Sequence, residues 1–209
     1  MQTDMTVGKP MKMLLNFTIP VFLGNVFQQL YSMADAVIVG KFVGTKGLAA
    51  VGATGTITFL IIGFLMGVTT GVTVLTSQKF GAGRMDEMRK TVGNAAILSA
   101  VIAVVMTAVS MLGMHRLLVF MHTPEDIFDG AYGYIMIICA GIFTQVLYNL
   151  VSSILRALGN SKTPLYFLIL AAGLNIVLDL VFIIFFHWGA PGAAWATVIS
   201  QGVSGVLCL

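Results

Sequence analysis

The chain has 209 residues, of which 58% are hydrophobic and only 9% are charged, and its formal net charge is +3. Soluble domains carry roughly a quarter charged residues, so this composition excludes an ordinary soluble domain. It also argues against a nucleic-acid partner, because the Lys and Arg residues lie singly or in pairs at the ends of apolar segments. We therefore predict an all-α membrane protein.

Six apolar segments follow one another along the chain, separated by short polar breaks. A helix needs about 20 apolar residues to cross the hydrocarbon core of a membrane. We place the predicted spans at residues 14–40, 48–78, 92–114, 127–155, 164–186 and 192–209. Residues 1–209 are therefore predicted to form a single bundle of six transmembrane helices, as a multi-pass protein of the plasma or inner membrane.

The distribution of positive charge predicts the orientation of this bundle. The N-terminus and the breaks at residues 79–90 and 156–162 together hold eight Lys or Arg residues, whereas the opposite breaks hold three. Cytoplasmic loops carry the excess of Lys and Arg in membrane proteins. The N-terminus is therefore predicted to be cytoplasmic.

The first span carries a stripe of polar side chains that ends in an acid. Asn25, Gln28, Ser32 and Asp35 follow a 3-4-3 spacing, which places them on one helix face. Polar stripes in membrane helices face the bundle interior or a water-filled cavity. Pro20 removes a backbone hydrogen bond and predicts a kink, either static or a bending point.

The second span contains Gly63, Gly67 and Gly71, which repeat every four residues. Small residues at this spacing allow two membrane helices to approach closely. We therefore predict close helix packing along this face, with no chemistry of its own.

The fourth span carries a shorter polar stripe, formed by Gln145, Tyr148, Asn149 and Ser152. Single Gln and Ser residues in membrane helices often only bond to a neighbouring helix. Bonding between helices and the lining of a cavity therefore both stay open for this stripe.

A second intramembrane acid, Asp179, lies in the fifth span, and Asn175 precedes it by one turn on the same face. Counted from the outer ends of the spans, Asp35 and Thr197 lie about 7.5 Å deep and Asp179 about 10 Å deep. A carboxylate in hydrocarbon costs several kcal/mol unless it is paired, so an intramembrane acid indicates a functional site. These side chains predict an ion or proton site in the outer half of the membrane.

No catalytic or metal-binding motif accompanies these acids. His115, His122 and His187 lie at the outer ends of spans, and the sequence contains no HExxH, GxSxG or nucleotide-binding loop. Cys139 and Cys208 lie in apolar segments and form no CxxC pair. We therefore predict that the protein is not an enzyme, needs no cofactor and holds no metal other than a possible Na⁺.

Several short segments occur in an order and spacing that are specific when taken together. They are Pro20 fifteen residues before Asp35 in QQLYSMADAVIVGKFVG, then GLAAVGA, GAGRMDEMRK, LRALGNSKTP, the pair Asn175 and Asp179, and GAAWATVISQ. Over nearly its whole length the chain resembles the amino-terminal half of the multidrug and toxic compound extrusion (MATE) antiporters.

This resemblance implies twelve helices in two six-helix lobes, with cationic drugs exported in exchange for H⁺ or Na⁺. The positions that match the family's cation or proton site in this lobe are Asp35, Asn175, Asp179 and Thr197. The positions assigned to the substrate cavity are Gln28, Tyr31 and Asn149, and Pro20 matches the proline where the first helix bends. The expected partners are membrane lipid, cationic small molecules, and either a second lobe or a second copy of this chain.

Two rival functions stay open at this point. The first is a flippase for lipid-linked oligosaccharides from the same superfamily, which should carry a cationic cavity for pyrophosphate. The intramembrane charges of this chain are both acidic, which argues against it. The second is a half-transporter fragment or subunit that transports nothing by itself.

Overall fold

The computed structural model describes residues 10–209, and this part of the chain is helical and contains no strand. A π-helical turn, Val181–Phe185, continues directly from the sixth α-helix. The α-helices are α1 (Pro10–Phe42), α2 (Thr45–Gly81), α3 (Met85–Phe120), α4 (Glu125–Ala140), α5 (Ile142–Ala157), α6 (Lys162–Leu180) and α7 (Gly189–Leu207). The all-α membrane class predicted from the composition is confirmed.

The helices differ from the predicted spans in number and length. Within residues 10–209, four segments are long and apolar enough to cross a membrane: Met11–Phe42, Thr45–Gly81, Met85–Phe120 and Lys162–Phe185. A fifth would be α4 and α5 together, which are bent by 47° where they join. The predicted span over residues 127–155 is therefore divided into two helices that together can form one bent span, and α7 does not reach the hydropathy of the four long segments.

The bend between α4 and α5 lies at Gly141, where another helix leaves no room for a side chain. A Cβ atom on Gly141 would clash with the side chain of Val198 on α7. Hydroxyl groups bond to carbonyls at the break: Thr107 of α3 donates to the Cys139 carbonyl at 3.2 Å, and Thr144 to the Gly141 carbonyl at 2.8 Å. The bend therefore lies where α3 and α7 both contact the junction of α4 and α5.

The centre of the bundle is formed by α4, α5 and α7, with α2 and α3 packed around them. Its largest cluster of buried apolar side chains includes Ile135, Cys139 and Ile142, together with Ala194 of α7. In contrast, α1 lies at the edge of the bundle and packs mainly along α6. The helix that carries the polar stripe is thus the least enclosed.

The glycine stripe of α2 does not have the packing role predicted for it. A Cβ atom added to Gly63, Gly67 or Gly71 would meet nothing within 4 Å in the described part of the chain. These glycines lie on an exposed face because α4 and α5 cover the other side of α2. The prediction of close packing at these three positions is wrong within the described lobe.

The turn between α6 and α7 contains a cluster of aromatic rings. Phe182 stacks on Trp188 with ring centroids 5.1 Å apart, and Phe186 lies 5.4 Å from the same indole. His187, at the tip, has a φ of 56°, in the left-handed region where few non-glycine residues occur. The rings of this aromatic cluster therefore hold a tight turn directly after the π-helical end of α6.

Candidate functional site

The main cavity of the protein has a volume of about 210 Å³ and lies between α1, α2, α4, α5 and α7. Its polar lining comes from all five helices. The polar lining residues are Gln28, Tyr31, Ser32, Asp35, Thr58, Tyr134, Gln145, Tyr148, Asn149, Thr197 and Gln201. Three of the four residues in the stripe of α1 therefore face this cavity.

Both intramembrane acids lie at one end of the main cavity. Asp35 and Thr197 line its wall, and the carboxyl group of Asp35 neighbours both Thr197 and Asp179. Asp179 itself lies just behind the wall and is fully buried, as is Asn175 one turn earlier on α6. The structure thus places the four predicted ion-site residues in one region, contributed by α1, α6 and α7.

Several polar atoms at this acid end are buried without a hydrogen-bond partner in residues 10–209. They are one carboxylate oxygen of Asp35, both of Asp179, the amide oxygen and nitrogen of Asn175, and the hydroxyl of Thr197. Buried polar groups are nearly always bonded in proteins, and an exception needs an explanation. An oxygen-rich group of this kind suits a proton or a hard cation such as Na⁺, either of which would satisfy the carboxylates.

In the described residues, no three His, Cys, Asp or Glu side chains form a group that could hold a metal ion. The acid end contains two carboxylates and neutral oxygen groups, without sulfur or imidazole. Such ligands favour hard ions over the softer transition metals. The donor set therefore agrees with the Na⁺ or H⁺ alternatives that the sequence left open.

Two tyrosines complete the acid end. Tyr31 of α1 is only 8% exposed, and its hydroxyl has no hydrogen-bond partner in the described chain. Tyr134 of α4 lines the same space beside the acids and was not predicted from the sequence. The sequence pattern around Tyr134 is a weak indicator of a site, because the neighbouring residues of α4 are mostly apolar. The bend at Gly141 also interrupts the helical spacing that would relate Tyr134 to the polar residues of α5.

The other end of the main cavity is lined by neutral amides. Gln28, Gln145, Asn149 and Gln201 all contribute there, and the Asn149 side-chain amide donates to the backbone carbonyl of Gln145 at 2.8 Å. Gln201 was missed in the sequence, although it follows Thr197 by one helical turn and so shares its face. The predicted cavity residues Gln28, Tyr31 and Asn149 all line this space.

The remaining predicted residue, Pro20, lies outside the main cavity. It is buried, and α1 continues as one helix on both sides of it. It lines a second, smaller cavity between α1, α5 and α6, together with Gly24 and Asn25. A role for Pro20 as a bending point stays a prediction.

A wide groove of about 660 Å³ separates α1 from α2 on the outside of the bundle. It shares Gln28, Ser32 and Thr58 with the main cavity, so the two spaces adjoin. The side chain of Phe59, which also lines the groove, is 76% exposed. The main cavity therefore opens sideways between α1 and α2.

The MatE family model matches residues 20–181 of this chain. Among curated relatives, the probable multidrug resistance protein YpnP of Bacillus subtilis is 33% identical over 201 residues, covering 96% of this chain and 45% of the relative. The probable multidrug resistance protein NorM of Thermotoga maritima is 29% identical, covering 94% of this chain and 43% of the relative. This chain thus spans less than half the length of the curated relatives it matches.

Solved structures show the same arrangement of helices. An outward-facing multidrug resistance MATE transporter of the MOP superfamily superimposes with a TM-score of 0.91 at 30% identity, over 96% of this chain and 44% of that one. A MOP superfamily transporter from Pyrococcus furiosus, described as having a binding pocket of reverse polarity, matches with the same score, identity and coverage. The structural similarity and the family model thus indicate the same family of transporters.

Proposed function

Because the chain belongs to the MatE family of transporters and is a multi-pass protein of the cell membrane, we propose that it acts in secondary multidrug efflux. In this proposal, cationic organic compounds leave in exchange for H⁺ or Na⁺. The observation that carries it is the neighbouring carboxylates of Asp35, half-buried on the cavity wall, and of Asp179, fully buried behind it, which have buried oxygens without hydrogen-bond partners. The relatives named as multidrug resistance proteins support the same function.

The coupling ion is proposed to bind at the acid end of the main cavity. Asp35 and Asp179 would share one proton or one Na⁺, because two close carboxylates titrate as a pair. Thr197 and Asn175 would supply neutral oxygens, which lets the site hold a cation without adding charge. Either ion would reduce the cost of keeping two carboxylates out of water.

Exchange requires that the ion and the drug prefer different conformations of the protein, because a ligand shifts an equilibrium only by its differential affinity. An ion between Asp35 and Asp179 would draw α1 toward α6. A cationic drug in the main cavity would compete for the same carboxylates and favour a position of α1 farther from α6. Pro20 is proposed to be the point at which α1 bends between these positions.

The drug itself is proposed to occupy the main cavity between its two ends. Tyr31 offers an aromatic face, which attracts organic cations through its π-system. Gln28 and Asn149 offer hydrogen bonds without charge, and the adjoining groove between α1 and α2 gives a lateral entrance. This arrangement suits a molecule with one positive group and an apolar body.

The topology completes the proposal. All six predicted segments cross the membrane, with the N-terminus in the cytoplasm and the bent pair α4 and α5 as a single span. The groove between α1 and α2 is proposed to face a space shared with a partner, either a second lobe or a second copy of this chain in a homodimer, so that the drug enters the main cavity from that shared space. Native mass spectrometry of the chain in lipid nanodiscs separates a dimer from a monomer.

The function is tested by efflux of a cationic dye from proteoliposomes under an imposed H⁺ or Na⁺ gradient. Asp35→Asn should reduce gradient-driven efflux at least ten-fold, a loss of about 1.4 kcal/mol of coupling or more. The matched control is Asp126→Asn, which also removes one acid but lies exposed near Lys46, 3.6 Å from it. Full efflux in Asp35→Asn would exclude this role for Asp35.

A flippase for a lipid pyrophosphate is not favoured. One relative, from Shewanella oneidensis, is named an FAD transporter, so an anionic cargo occurs among the relatives. In this chain, however, the charged side chain on the wall of the main cavity is Asp35, and no Lys or Arg lines that cavity in the described residues. An anion would be repelled there, whereas an organic cation would be attracted.

A further inference from the structure

Gly192, in the first turn of α7, lies directly against the π-helical turn that ends α6. A Cβ atom added to Gly192 would come within 3.2 Å of the Phe182 Cβ atom and 3.3 Å of the Trp188 Cβ atom. Its third neighbour would be the Phe182 carbonyl carbon at 3.4 Å. The two shorter distances are tighter than ordinary van der Waals contact. The glycine therefore allows α7 and α6 to approach more closely than a side chain would permit.

The surface that Gly192 contacts is held in place by hydrogen bonds and by stacking. The Phe182 carbonyl accepts a backbone hydrogen bond from Trp188 at 3.0 Å, and the Val181 carbonyl accepts one from Phe186 at 3.1 Å. The Phe182 and Trp188 rings are also stacked on each other. A methyl group at position 192 would therefore meet a well-supported turn, and α7 would shift relative to α6.

A second close contact fixes the start of α7 against α4. A Cβ atom on Gly133 of α4 would come within 3.1 Å of the Pro191 Cγ atom. The first turn of α7 thus lies in close contact with α4 at Pro191 and with the end of α6 at Gly192. Small residues at these contacts determine where α7 lies in the bundle.

Both α6 and α7 reach the acid end of the main cavity close to the contact at Gly192. Asp179 precedes Phe182 by three residues on α6, about 4.5 Å along the helix, and Thr197 follows Gly192 by five on α7, about 7.5 Å. Asp179 is fully buried, and the Thr197 hydroxyl has no hydrogen-bond partner in residues 10–209. A change in the spacing of the two helices at Gly192 would therefore change the distance between Asp179 and Thr197.

The size of that change matters for a binding site. Groups that bind a ligand have to be held within about 0.5 Å of their productive positions. Crowding at 3.2 Å is relieved by a shift of a few tenths of an ångström, which is a similar distance. We propose that Gly192 is a positioning residue, which sets the spacing of α6 and α7 so that the Thr197 hydroxyl reaches the two acids of the ion site. This inference rests on the proposed binding of H⁺ or Na⁺ at Asp35 and Asp179.

A packing role alone for Gly192 predicts a different result. Small residues often let two membrane helices approach closely, and their replacement then lowers stability without changing a binding site. Gly202 is the matched comparison, because it also lies on α7, five residues from Thr197 on the other side. A Cβ atom on Gly202 would come within 3.3 Å of Thr144. Gly202→Ala therefore crowds the same helix to a similar degree, but against α5 and not against α6.

The test measures ion binding by the reaction of the acids with dicyclohexylcarbodiimide, which attacks protonated carboxyl groups in apolar surroundings. The full chain is held in lipid nanodiscs, and mass spectrometry locates the product at Asp35 or Asp179. The Na⁺ concentration that halves the reaction reports Na⁺ binding. The pH at which the reaction is half-maximal, measured without Na⁺, reports H⁺ binding at the same groups.

Gly192→Ala should change the half-effective concentration of Na⁺ or H⁺ by at least about three-fold, the effect expected when one neutral hydrogen-bonding oxygen is lost. Gly202→Ala should leave both values as in the wild type. Unfolding in mixed micelles should show a similar loss of stability in the two variants. Unchanged responses to both ions in Gly192→Ala would overturn the proposal, as would equal changes in Gly192→Ala and Gly202→Ala.

Thr197→Val tests whether Gly192 acts through the hydroxyl group. This variant should weaken ion binding by itself, and Gly192→Ala should add no further change when both substitutions are present, because residues that act through one interaction are not additive. Additive changes in the double variant would also overturn the proposal. Failure of the proposed function is seen separately, as full dye efflux in Asp35→Asn.

Discussion

Helices α1 and α7 both present side chains to the main cavity, but the bundle holds them in different ways. Eleven of the nineteen residues of α7 are buried. In α1, the buried residues between positions 11 and 42 are only Pro20, Tyr31, Ile38 and Val39. One helix is enclosed by its neighbours, while the other rests against α6 at the edge.

The difference separates the stationary part of the proposed site from the part that can move. Small residues allow α7 to lie directly on α5, where a Cβ atom on Gly205 would come within 3.2 Å of the Tyr148 backbone nitrogen. Gly24 of α1, in contrast, has room for a Cβ atom, since its nearest neighbour would be Leu168 at 3.8 Å. Thr197 thus stands on a fixed support, whereas Asp35 stands on a loosely held helix.

The largest effect on stability is expected where α7 meets the bend. Gly141→Ala should lower the free energy of unfolding by about 1–3 kcal/mol, because its Cβ atom would displace Val198 from a closely packed position. The backbone at Gly141, with φ −81° and ψ 2°, is accessible to alanine, so the loss comes from packing. Reversible unfolding in mixed micelles measures it.

The matched control for this prediction is Gly63→Ala on α2. A Cβ atom at Gly63 would meet nothing within 4 Å, and alanine is the better helix former by roughly 1 kcal/mol. This variant should be as stable as the wild type or slightly more so. If Gly141→Ala and Gly63→Ala lowered the free energy of unfolding by similar amounts, the packing of α7 against the bend would not be tighter than the surroundings of Gly63.

A moderate effect, on transport and not on stability, is expected in α1. Pro20→Ala restores a backbone hydrogen-bond donor inside the helix and should stiffen it. Gradient-driven dye efflux should fall several-fold, while the free energy of unfolding should not decrease. Val21→Ala, at the next position, serves as the control, and equal efflux in the two variants would show that α1 does not bend at Pro20.

The smallest effect concerns the hydroxyl that bonds across the bend. Thr107→Val removes the donor to the Cys139 carbonyl and should cost about 1 kcal/mol of stability, the usual net value of such a bond. Thr70→Val is the comparison, since the exposed Thr70 hydroxyl bonds only within its own helix, to Met66. If Thr107→Val and Thr70→Val lowered the free energy of unfolding equally, the bond across the bend would make no separate contribution to stability.

Hydropathy located the helices of this protein but not their ends or breaks. The predicted third span, 92–114, is the apolar centre of α3, which continues through polar residues from Met85 to Phe120. The break at Gly141 could not be predicted, because the side chain packed against it belongs to Val198, 57 residues further along the chain. The apolar pattern continues through the break, and contacts distant in sequence decide where the helix bends.

The candidate site was predicted more completely than the fold around it. Asn175 and Asp179 are related by one helical turn, and equal estimated depth brought Asp35 and Thr197 to the same region, where the structure also places them. Helical spacing alone could also have indicated Gln201. Tyr134 required the fold, because only the folded arrangement brings α4 beside α1 and α5 at the same cavity.

The aromatic cluster at the end of α6 affects how voltage acts on this protein. Tryptophan settles at the level of the lipid headgroups, so in the proposed topology Trp188, with Phe182 stacked on it, would hold this end of α6, and Asp179 with it, at constant depth. A charge that keeps its depth does no electrical work. Of the two intramembrane acids, Asp35 on α1 is then the one whose charge moves through the field in the proposed exchange, besides the charges of the exchanged ion and drug, and its movement is worth about 2.3 kcal/mol per 100 mV for a full crossing. Membrane potential should thus bias α1 while Asp35 is ionised, and release it once the carboxylate is neutralised.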